Sequence, residues 1–189
     1  MISSRPETEA VAKASTLATV GQIQQYLTFA LGKESYAAAI DAIREILEVP
    51  TLTSVPLVPP FVRGVINLRG AVVPVIDLST RFELGRTELA RRTCVVVVEV
   101  TANDGGEDSK EVHNDGERQV LGVLVDAVHE VLEIPTAEIE PAPTLGTSIH
   151  PDFMRGMAKV NGRLLVVLNL GRILAQQELA KLVAGHLSS

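Results

Sequence analysis

Short runs of apolar and β-branched residues, broken by turn residues, occupy most of the chain. Apolar and polar positions alternate within several of them, which is typical of half-buried strands rather than of helices. The strand-like runs lie at residues 26–31, 35–40, 43–49, 65–68, 72–78, 93–100, 119–125, 128–134 and 164–168. Only residues 170–187 carry Leu, Ile and Val at helical spacing. The pattern therefore predicts a mainly β protein with a helix near its C-terminal end.

Two blocks of this pattern occur twice and in the same order. Residues 39–50 read AIDAIREILEVP, and residues 124–135, which lie 85 positions later, read LVDAVHEVLEIP. Residues 61–78 read FVRGVINLRGAVVPVIDL, and residues 153–170, which lie 92 positions later, read FMRGMAKVNGRLLVVLNL. Such a repeat predicts two homologous units of about five short strands each. Short antiparallel strands with closely spaced turns favour barrels, because closure removes exposed strand edges.

Composition along the chain divides it into four segments. They are a flexible N-terminal tail at 1–22, a first barrel subdomain at 23–88, a second at 89–170 and a C-terminal helix at 171–189, with 23–175 forming one domain. Residues 101–118, TANDGGEDSKEVHNDGER, are polar, acidic and Gly-rich, so they cannot bury a core. We expect them to be a disordered insertion in a hairpin of the second subdomain.

Composition and residue spacing exclude several kinds of function. The 189 residues carry a formal charge of −6 and no cluster of Lys and Arg, whereas a nucleic-acid binder needs a basic face. Cys94 is the only cysteine, so neither an intrachain disulfide nor a cysteine-based metal cluster can form. The four histidines lack ligand spacing, and there is no Gly-rich phosphate loop. We therefore expect no catalytic residue, no metal and no cofactor.

The N-terminal segment and the apolar runs predict the compartment. MISSRPETEA has no apolar stretch behind a basic one, which argues against a signal peptide. No apolar run approaches the roughly 18 residues that a membrane-spanning helix needs. We expect a cytoplasmic protein without direct membrane insertion.

Three stretches of the chain resemble the CheW family of coupling proteins. FVRGVINLRGAVVPVIDL at 61–78 resembles the family signature, and LGVLVDAVHEVLEI at 121–134 resembles the matching stretch of the second half. With YLTFALGKESYAAAIDAIREI at 26–46, the likeness extends from about Gln24 to the last helix. The regulatory domain of the kinase CheA and CheV-type proteins contain a similar repeat but carry extra domains, so the resemblance favours the free-standing coupling protein.

The resemblance implies both a fold and a function. The fold is two SH3-like five-stranded β-barrel subdomains in tandem with a C-terminal helix. The function is that of a non-enzymatic adaptor in bacterial chemotaxis, which couples the cytoplasmic tip of methyl-accepting chemoreceptors to the regulatory domain of the histidine kinase CheA, in arrays at the inner face of the membrane. Two alternatives stay open: a coupler in a related non-flagellar array, for example for twitching motility, and a small-ligand sensor that uses the groove between the barrels.

The resemblance also implies site residues. The apolar positions matching the kinase-facing side are Leu27, Ile40, Ile43 and Ile46. The positions matching receptor coupling are Glu45, Asn67, Arg69, Val123 and Val125. Three of the kinase-facing residues recur at a spacing of three, so a bend or bulge must interrupt strand alternation. Each apolar residue could instead fill the core, and Arg69 could be an ordinary turn residue. Asn161 stands at the Arg69 position of the second repeat, which favours a functional role for Arg69.

Overall fold

The computed structural model describes residues 22–101, 118–142 and 149–174. Within these ranges the chain forms ten strands and two short α-helices. The strands are β1 (Ile23–Leu31), β2 (Glu34–Ala39), β3 (Ile43–Glu48), β4 (Val62–Leu68), β5 (Ala71–Asp77), β6 (Cys94–Thr101), β7 (Arg118–Val125), β8 (Ala127–Pro135), β9 (Met154–Val160) and β10 (Arg163–Leu168). The helices are α1 (Leu78–Arg81) and α2 (Leu170–Leu174), and single 3₁₀ turns lie at Ile40–Ala42, Thr136–Glu138 and Pro151–Phe153.

The ten strands form two five-stranded sheets. Sheet 1 has the order β3-β6-β7-β5-β4, and sheet 2 has the order β8-β1-β2-β10-β9. Neighbouring strands are antiparallel except β5 with β7 and β2 with β10, which are parallel. The predicted fold class, mainly β with two five-stranded units, is confirmed. Of the predicted C-terminal helix, α2 lies in the described part, and the tail at 1–22 and the insertion at 101–118 lie almost wholly outside it.

The sequence repeat and the sheets follow a common rule. Adding five to each strand number in sheet 1, and counting on from β10 to β1, gives the strand order of sheet 2. The repeats are therefore β1–β5 and β6–β10, and each contributes its first hairpin to the sheet that holds the last three strands of the other. The predicted boundary between residues 88 and 89 is wrong as a division between the sheets, because residues 23–39 pair with β8 and β10. Strand β9 was not predicted from alternation, although it lies within the repeated block.

Exchange of the hairpins explains why their strands are apolar on both faces. Alternate residues of β1 enter two different cores: Tyr26 packs inside sheet 2, while Leu27 and Phe29 pack between the sheets. The central core between the sheets includes Leu27, Phe29, Leu31, Tyr36, Ile76, Val96, Val98, Leu121, Val123, Val125, Val166 and Leu168. Burying each such side chain contributes about 1.5–3 kcal/mol, so the central core joins the two repeats into one unit.

Each sheet has one edge strand covered by a crossing loop. Thr53 pairs with β4 in sheet 1, and Glu140 pairs with β9 in sheet 2. The crossing backbone lies directly over Gly64 and Gly156, where any Cβ atom would collide with Thr53 or Glu140. These counterpart glycines therefore permit the close approach of a loop. Strands β3 and β8 form the opposite edges of the two sheets.

Candidate protein-binding surfaces

The predicted polar residues of the first repeat converge at one end of sheet 1. Arg69 and Gly70 form the two-residue turn between β4 and β5, and both have positive φ, at 52° and 86°. The Arg69 guanidinium donates to both carboxylate oxygens of Glu45 on β3, at 2.9 and 3.2 Å. Asn67 Oδ1 accepts from the Gly70 amide at 2.9 Å. The turn is therefore fixed at its base and carries an exposed cation at its tip.

The backbone conformation of Arg69 is one that Asn, the residue at the equivalent position of the second repeat, adopts more readily. Asn161 and Gly162 form the equivalent turn, with φ values of 52° and 77°. Asn-Gly is a preferred pair for such hairpin turns, because Asn tolerates the left-handed region better than other residues with a Cβ. Arg at this position stores strain that Asn would relieve. Arg69 is therefore present although this backbone conformation favours Asn or Gly, which points to a role for the Arg69 side chain.

Strand β3 presents one apolar side chain to solvent beside this turn. Ile46, which follows Glu45, is 44% exposed. The strand shifts register against β6 between Ile43 and Glu45, so the interruption of alternation predicted from the spacing of three is present. Ile40 and Ile43 are half-buried and pack against the central core. Ile46 is therefore the exposed member of the predicted kinase-facing set.

Three of the predicted binding residues are core residues. Leu27 is 3% exposed, Val123 is 2% exposed and Val125 is fully buried, all in the core between the sheets. Their side chains offer no surface to a partner, which corrects the predicted contacts at these positions. The physical reason is the hairpin exchange, because it places β1 and β7 between two cores.

The exposed apolar residues near the two turns are themselves repeated. Ile46 at 44% and Val131 at 47% are counterparts on β3 and β8. Val72 at 44% and Leu164 at 59% are counterparts just after the two turns. Sequence reasoning missed Val72, Val131 and Leu164. The repeat offsets of 85 and 92 could have identified Val131 from Ile46 and would have paired Val72 with Leu164.

A buried ion pair supports α1 and the segment that follows it. Asp77 is fully buried, and Arg63 on β4 donates to its Oδ2 at 2.9 Å. The backbone amide and hydroxyl of Thr87 donate to the same carboxylate at 2.9 and 2.8 Å. The counterpart of Asp77 in the second repeat is Asn169, and the counterpart of Arg63 is the exposed Arg155. Only the first repeat therefore uses a buried charge at this position.

Cavities at two places on the described surface are lined by residues of the strands. One, of about 300 Å³, lies at the end of sheet 2 and is lined by Thr28, Ser35, His129, Glu130, Leu132, Val160, Asn161, Arg163 and Leu165. The other, of about 230 Å³, is lined by residues of both sheets, among them Gln24, Asp41, Glu99, Arg155 and Asn169. Next to it, burial raises the pKa of the Tyr26 hydroxyl, an effect that the positive charge of Arg155 partly offsets.

Within residues 22–101, 118–142 and 149–174, no group of three His, Cys, Asp or Glu side chains is arranged to hold a metal ion. None of the helices in those ranges has both the length and the apolar character required to cross a bilayer.

Comparison with known proteins identifies relatives over most of the chain. Residues 25–178 match the family model of the CheW-like domain. The chain is 32% identical over 162 residues to the chemotaxis protein CheW of Klebsiella aerogenes, covering 86% of this chain and 87% of that protein. It is 30% identical over 155 residues to the chemotaxis protein CheW of Rhizobium meliloti, covering 82% and 90%.

More distant relatives widen the picture. The chain is 28% identical over 153 residues to protein FrzA of Myxococcus xanthus, covering 80% of this chain and 85% of FrzA. Among solved structures, the scaffolding protein TtCheW from Thermoanaerobacter tengcongensis is similar, with a TM-score of 0.69 and 30% identity, covering 83% of this chain and 91% of that one. The likeness therefore includes the two-sheet fold.

Proposed function

Because the chain belongs to the CheW-like domain family, we propose that it is a non-enzymatic adaptor that couples methyl-accepting chemoreceptors to the histidine kinase CheA. The names of its relatives as chemotaxis proteins, and that of the structural neighbour as a scaffolding protein, support this proposal. We place its action in the cytoplasm, in receptor arrays at the inner face of the membrane.

The observation that carries the proposal is the strained, exposed Arg69 beside the exposed Ile46. A surface that combines an apolar anchor with a fixed charge suits protein recognition, since the apolar group supplies affinity and the charge supplies specificity. The Arg69 side chain is 77% exposed, so its ion pair with Glu45 contributes little stability. Its strained backbone is better explained by what the side chain contacts outside the chain.

We assign the two partners to neighbouring parts of this surface. Ile46 on the exposed edge of β3 is the proposed kinase contact, and the half-buried Ile40 and Ile43 hold that edge in place. Glu45, Asn67 and Arg69 at the turn are the proposed receptor contacts. Ile46 follows Glu45 directly in β3 and points to the opposite face of the strand, so the two surfaces lie on either side of one strand, through which receptor geometry can reach the kinase.

A second candidate is a coupler in an array with a non-flagellar output. The similarity to FrzA over 80% of the chain favours this candidate specifically. Both candidates share the adaptor mechanism and differ in the receptors and the pathway served. A small-ligand sensor is less well supported, because the cavity between the sheets is lined by side chains already engaged, such as Glu99 with Arg44 and Arg118.

The test is binding to a purified CheA regulatory domain and to a chemoreceptor tip fragment, measured by titration calorimetry. Ile46→Arg is expected to weaken kinase-domain binding roughly tenfold or more, as loss of a central apolar contact does. Arg69→Glu is expected to weaken binding of the receptor fragment selectively. Leu89→Arg is the matched control, because Leu89 is also apolar and exposed, at 54%, but lies in the segment between α1 and β6.

Two results would contradict the proposal. One is that the unmodified protein binds neither fragment at concentrations where CheW relatives do. The other is that Leu89→Arg weakens kinase binding as much as Ile46→Arg, which would show that any added charge perturbs the protein. Thermal unfolding of each variant separates a lost contact from a lost fold.

A further inference from the structure

Sheet 2 has an open cleft at the position where sheet 1 holds the ion pair between Glu45 and Arg69. The cleft of about 300 Å³ is lined by Glu130 of β8 and by Asn161 at the turn between β9 and β10. In the repeat, Glu130 is the counterpart of Glu45, and Asn161 is the counterpart of Arg69. The shorter Asn161 side chain cannot reach the Glu130 carboxylate as the Arg69 side chain reaches Glu45, so the space that a guanidinium would fill is open.

The carboxylate in this cleft is held on a fixed backbone. The buried Thr28 hydroxyl donates to the Glu130 carbonyl at 2.9 Å and accepts from the Glu130 amide at 3.2 Å. Among the residues that the structure describes, no cationic side chain lies within ion-pair distance of Glu130, whereas Glu45 has Arg69 at 2.9 Å. The backbone that carries Glu130 is therefore fixed beside the cavity, which limits the entropic cost of ordering its exposed side chain when a ligand binds.

Apolar side chains line the cleft beside the carboxylate. They are Leu132 of β8, Val160 of β9 and Leu165 of β10. A carboxylate with apolar neighbours suits an arginine side chain, whose stem packs on apolar surface while its planar head forms paired hydrogen bonds to a carboxylate. The other charged group that lines the cleft, the exposed Arg163, replaces Ala71 of the first repeat and opposes a bound cation.

We propose that this cleft binds an arginine side chain that a partner protein presents at a turn, in the way that sheet 1 binds its own Arg69. The equivalent position in sheet 1 is occupied by the guanidinium of Arg69, a residue of the tight turn between β4 and β5. The proposal goes beyond the adaptor function above, because it assigns a specific ligand chemistry to sheet 2 and does not depend on the identity of the partner.

The test uses a peptide copied from the chain's own turn. Acetyl-Leu-Arg-Gly-amide is titrated into the full-length ¹⁵N-labelled protein, and amide shifts are followed by NMR. Acetyl-Leu-citrulline-Gly-amide, which has nearly the same shape without the charge, is the matched control ligand. Saturable shifts around Thr28, Glu130 and Asn161 with the arginine peptide, and weaker binding of the citrulline peptide, would support the proposal. Equal binding of both peptides, or no shifts in the cleft, would overturn it.

Three variants are expected to change the affinity for the arginine peptide, each in a stated direction. Glu130→Gln is expected to weaken binding roughly two- to fivefold, the range of a partly exposed ion pair, and Arg163→Gln to strengthen it by removing a like charge. Asn161→Arg should close the cleft from within and abolish binding while the protein stays folded, since Arg69 already tolerates this turn. Glu133→Gln, an exposed residue of β8 outside the cleft, should have no effect. A Glu130→Gln protein that binds as well as the unmodified one would refute the proposal, and none of these outcomes bears on kinase or receptor binding.

Discussion

Replacing Asp77 by Asn tests how strongly the first repeat depends on its buried charge. The carboxylate is fully buried and accepts five hydrogen bonds, from Arg63, from the amide and hydroxyl of Thr87, and from the amides of Ser79 and Thr80, at 2.8–3.3 Å. These bonds connect β4, the start of α1 and the segment leading to β6. An amide keeps the shape of the side chain and removes the charge.

The expected loss follows from what remains buried. The Arg63 side chain is only 9% exposed, so without Asp77 its charge has no compensating anion. Breaking one partner of such a pair costs about 3–5 kcal/mol, and the hydrogen bond from Arg63 to the Thr87 carbonyl at 2.8 Å recovers little of it. Domains of this size are stable by about 5–15 kcal/mol, so the variant should be folded but strongly destabilised.

Urea unfolding followed by circular dichroism measures this loss. With a slope of about 2 kcal/mol per molar urea, the midpoint should fall by about 2 M. The control is Asn169→Asp in the second repeat, where the counterpart Arg155 is exposed, and it should shift stability by less than about 0.5 kcal/mol. Combining Asp77→Asn with Arg63→Met should recover part of the loss, because no unpaired charge remains. A loss below about 1 kcal/mol for Asp77→Asn, or strictly additive losses in the double variant, would refute the reasoning.

Three further predictions concern the core, the surface and the pH dependence. Val75→Asp should cost more than about 4 kcal/mol and abolish cooperative thermal unfolding, since Val75 is fully buried; an unchanged melting curve would contradict this. Arg69→Glu should change stability by less than about 1 kcal/mol yet reduce receptor-dependent kinase activity, and the charge swap with Glu45→Arg should restore the ion pair without restoring activity. Burial raises the pKa of Tyr36 above its ordinary 10.0 and the hydrogen bond to Glu34 adds to this, so folding favours the neutral hydroxyl. The contribution of Tyr36 to stability should therefore be constant below about pH 10 and fall as the pH rises further, and Tyr36→Phe should reduce the alkaline loss of stability in urea unfolding from pH 8 to pH 11.

The local parts of the fold could be predicted from the sequence. Strand alternation and turn residues located nine of the ten strands, and the spacing of Ile40, Ile43 and Ile46 required the interruption of alternation that β3 contains. The turn at Arg69-Gly70 follows from the break between the strand-like runs at 65–68 and 72–78, because glycine readily adopts the positive φ that a two-residue turn needs. These features depend on interactions within a few residues of one another, and such interactions are encoded locally.

The exchange of hairpins could not be predicted in this way. An apolar pattern indicates which face of a strand is buried, but it does not indicate which sheet covers that face. Val123, Leu124 and Val125 are all buried, with Leu124 inside sheet 1 and its two neighbours between the sheets. Because both faces of such a strand are apolar, the sequence does not distinguish residues that fill a core from residues that line a groove. The family resemblance assigned Leu27 to a binding surface, and the sequence left core packing open for it for the same reason. The charged Glu45 and Arg69 could not enter a core unpaired, and both lie at the surface.

The differences between the repeats matter more for an adaptor than their shared frame. A duplicated fold with identical halves would present the same surface twice, whereas coupling requires two surfaces with different ligands. The structure differs at the turn, with Arg69 against Asn161, and at the buried acid, with Asp77 against Asn169. The two halves also meet at one side chain of the first repeat. The Arg81 guanidinium lies 4.9 Å from the ring centroid of Phe61 and 4.7 Å from that of its counterpart Phe153. One cation thus contacts a ring from each repeat, and these cation–π contacts help to join the two halves. Asymmetry built on a symmetric frame thus gives each half its own surface chemistry, so the proposed kinase and receptor contacts of sheet 1 are not duplicated on sheet 2.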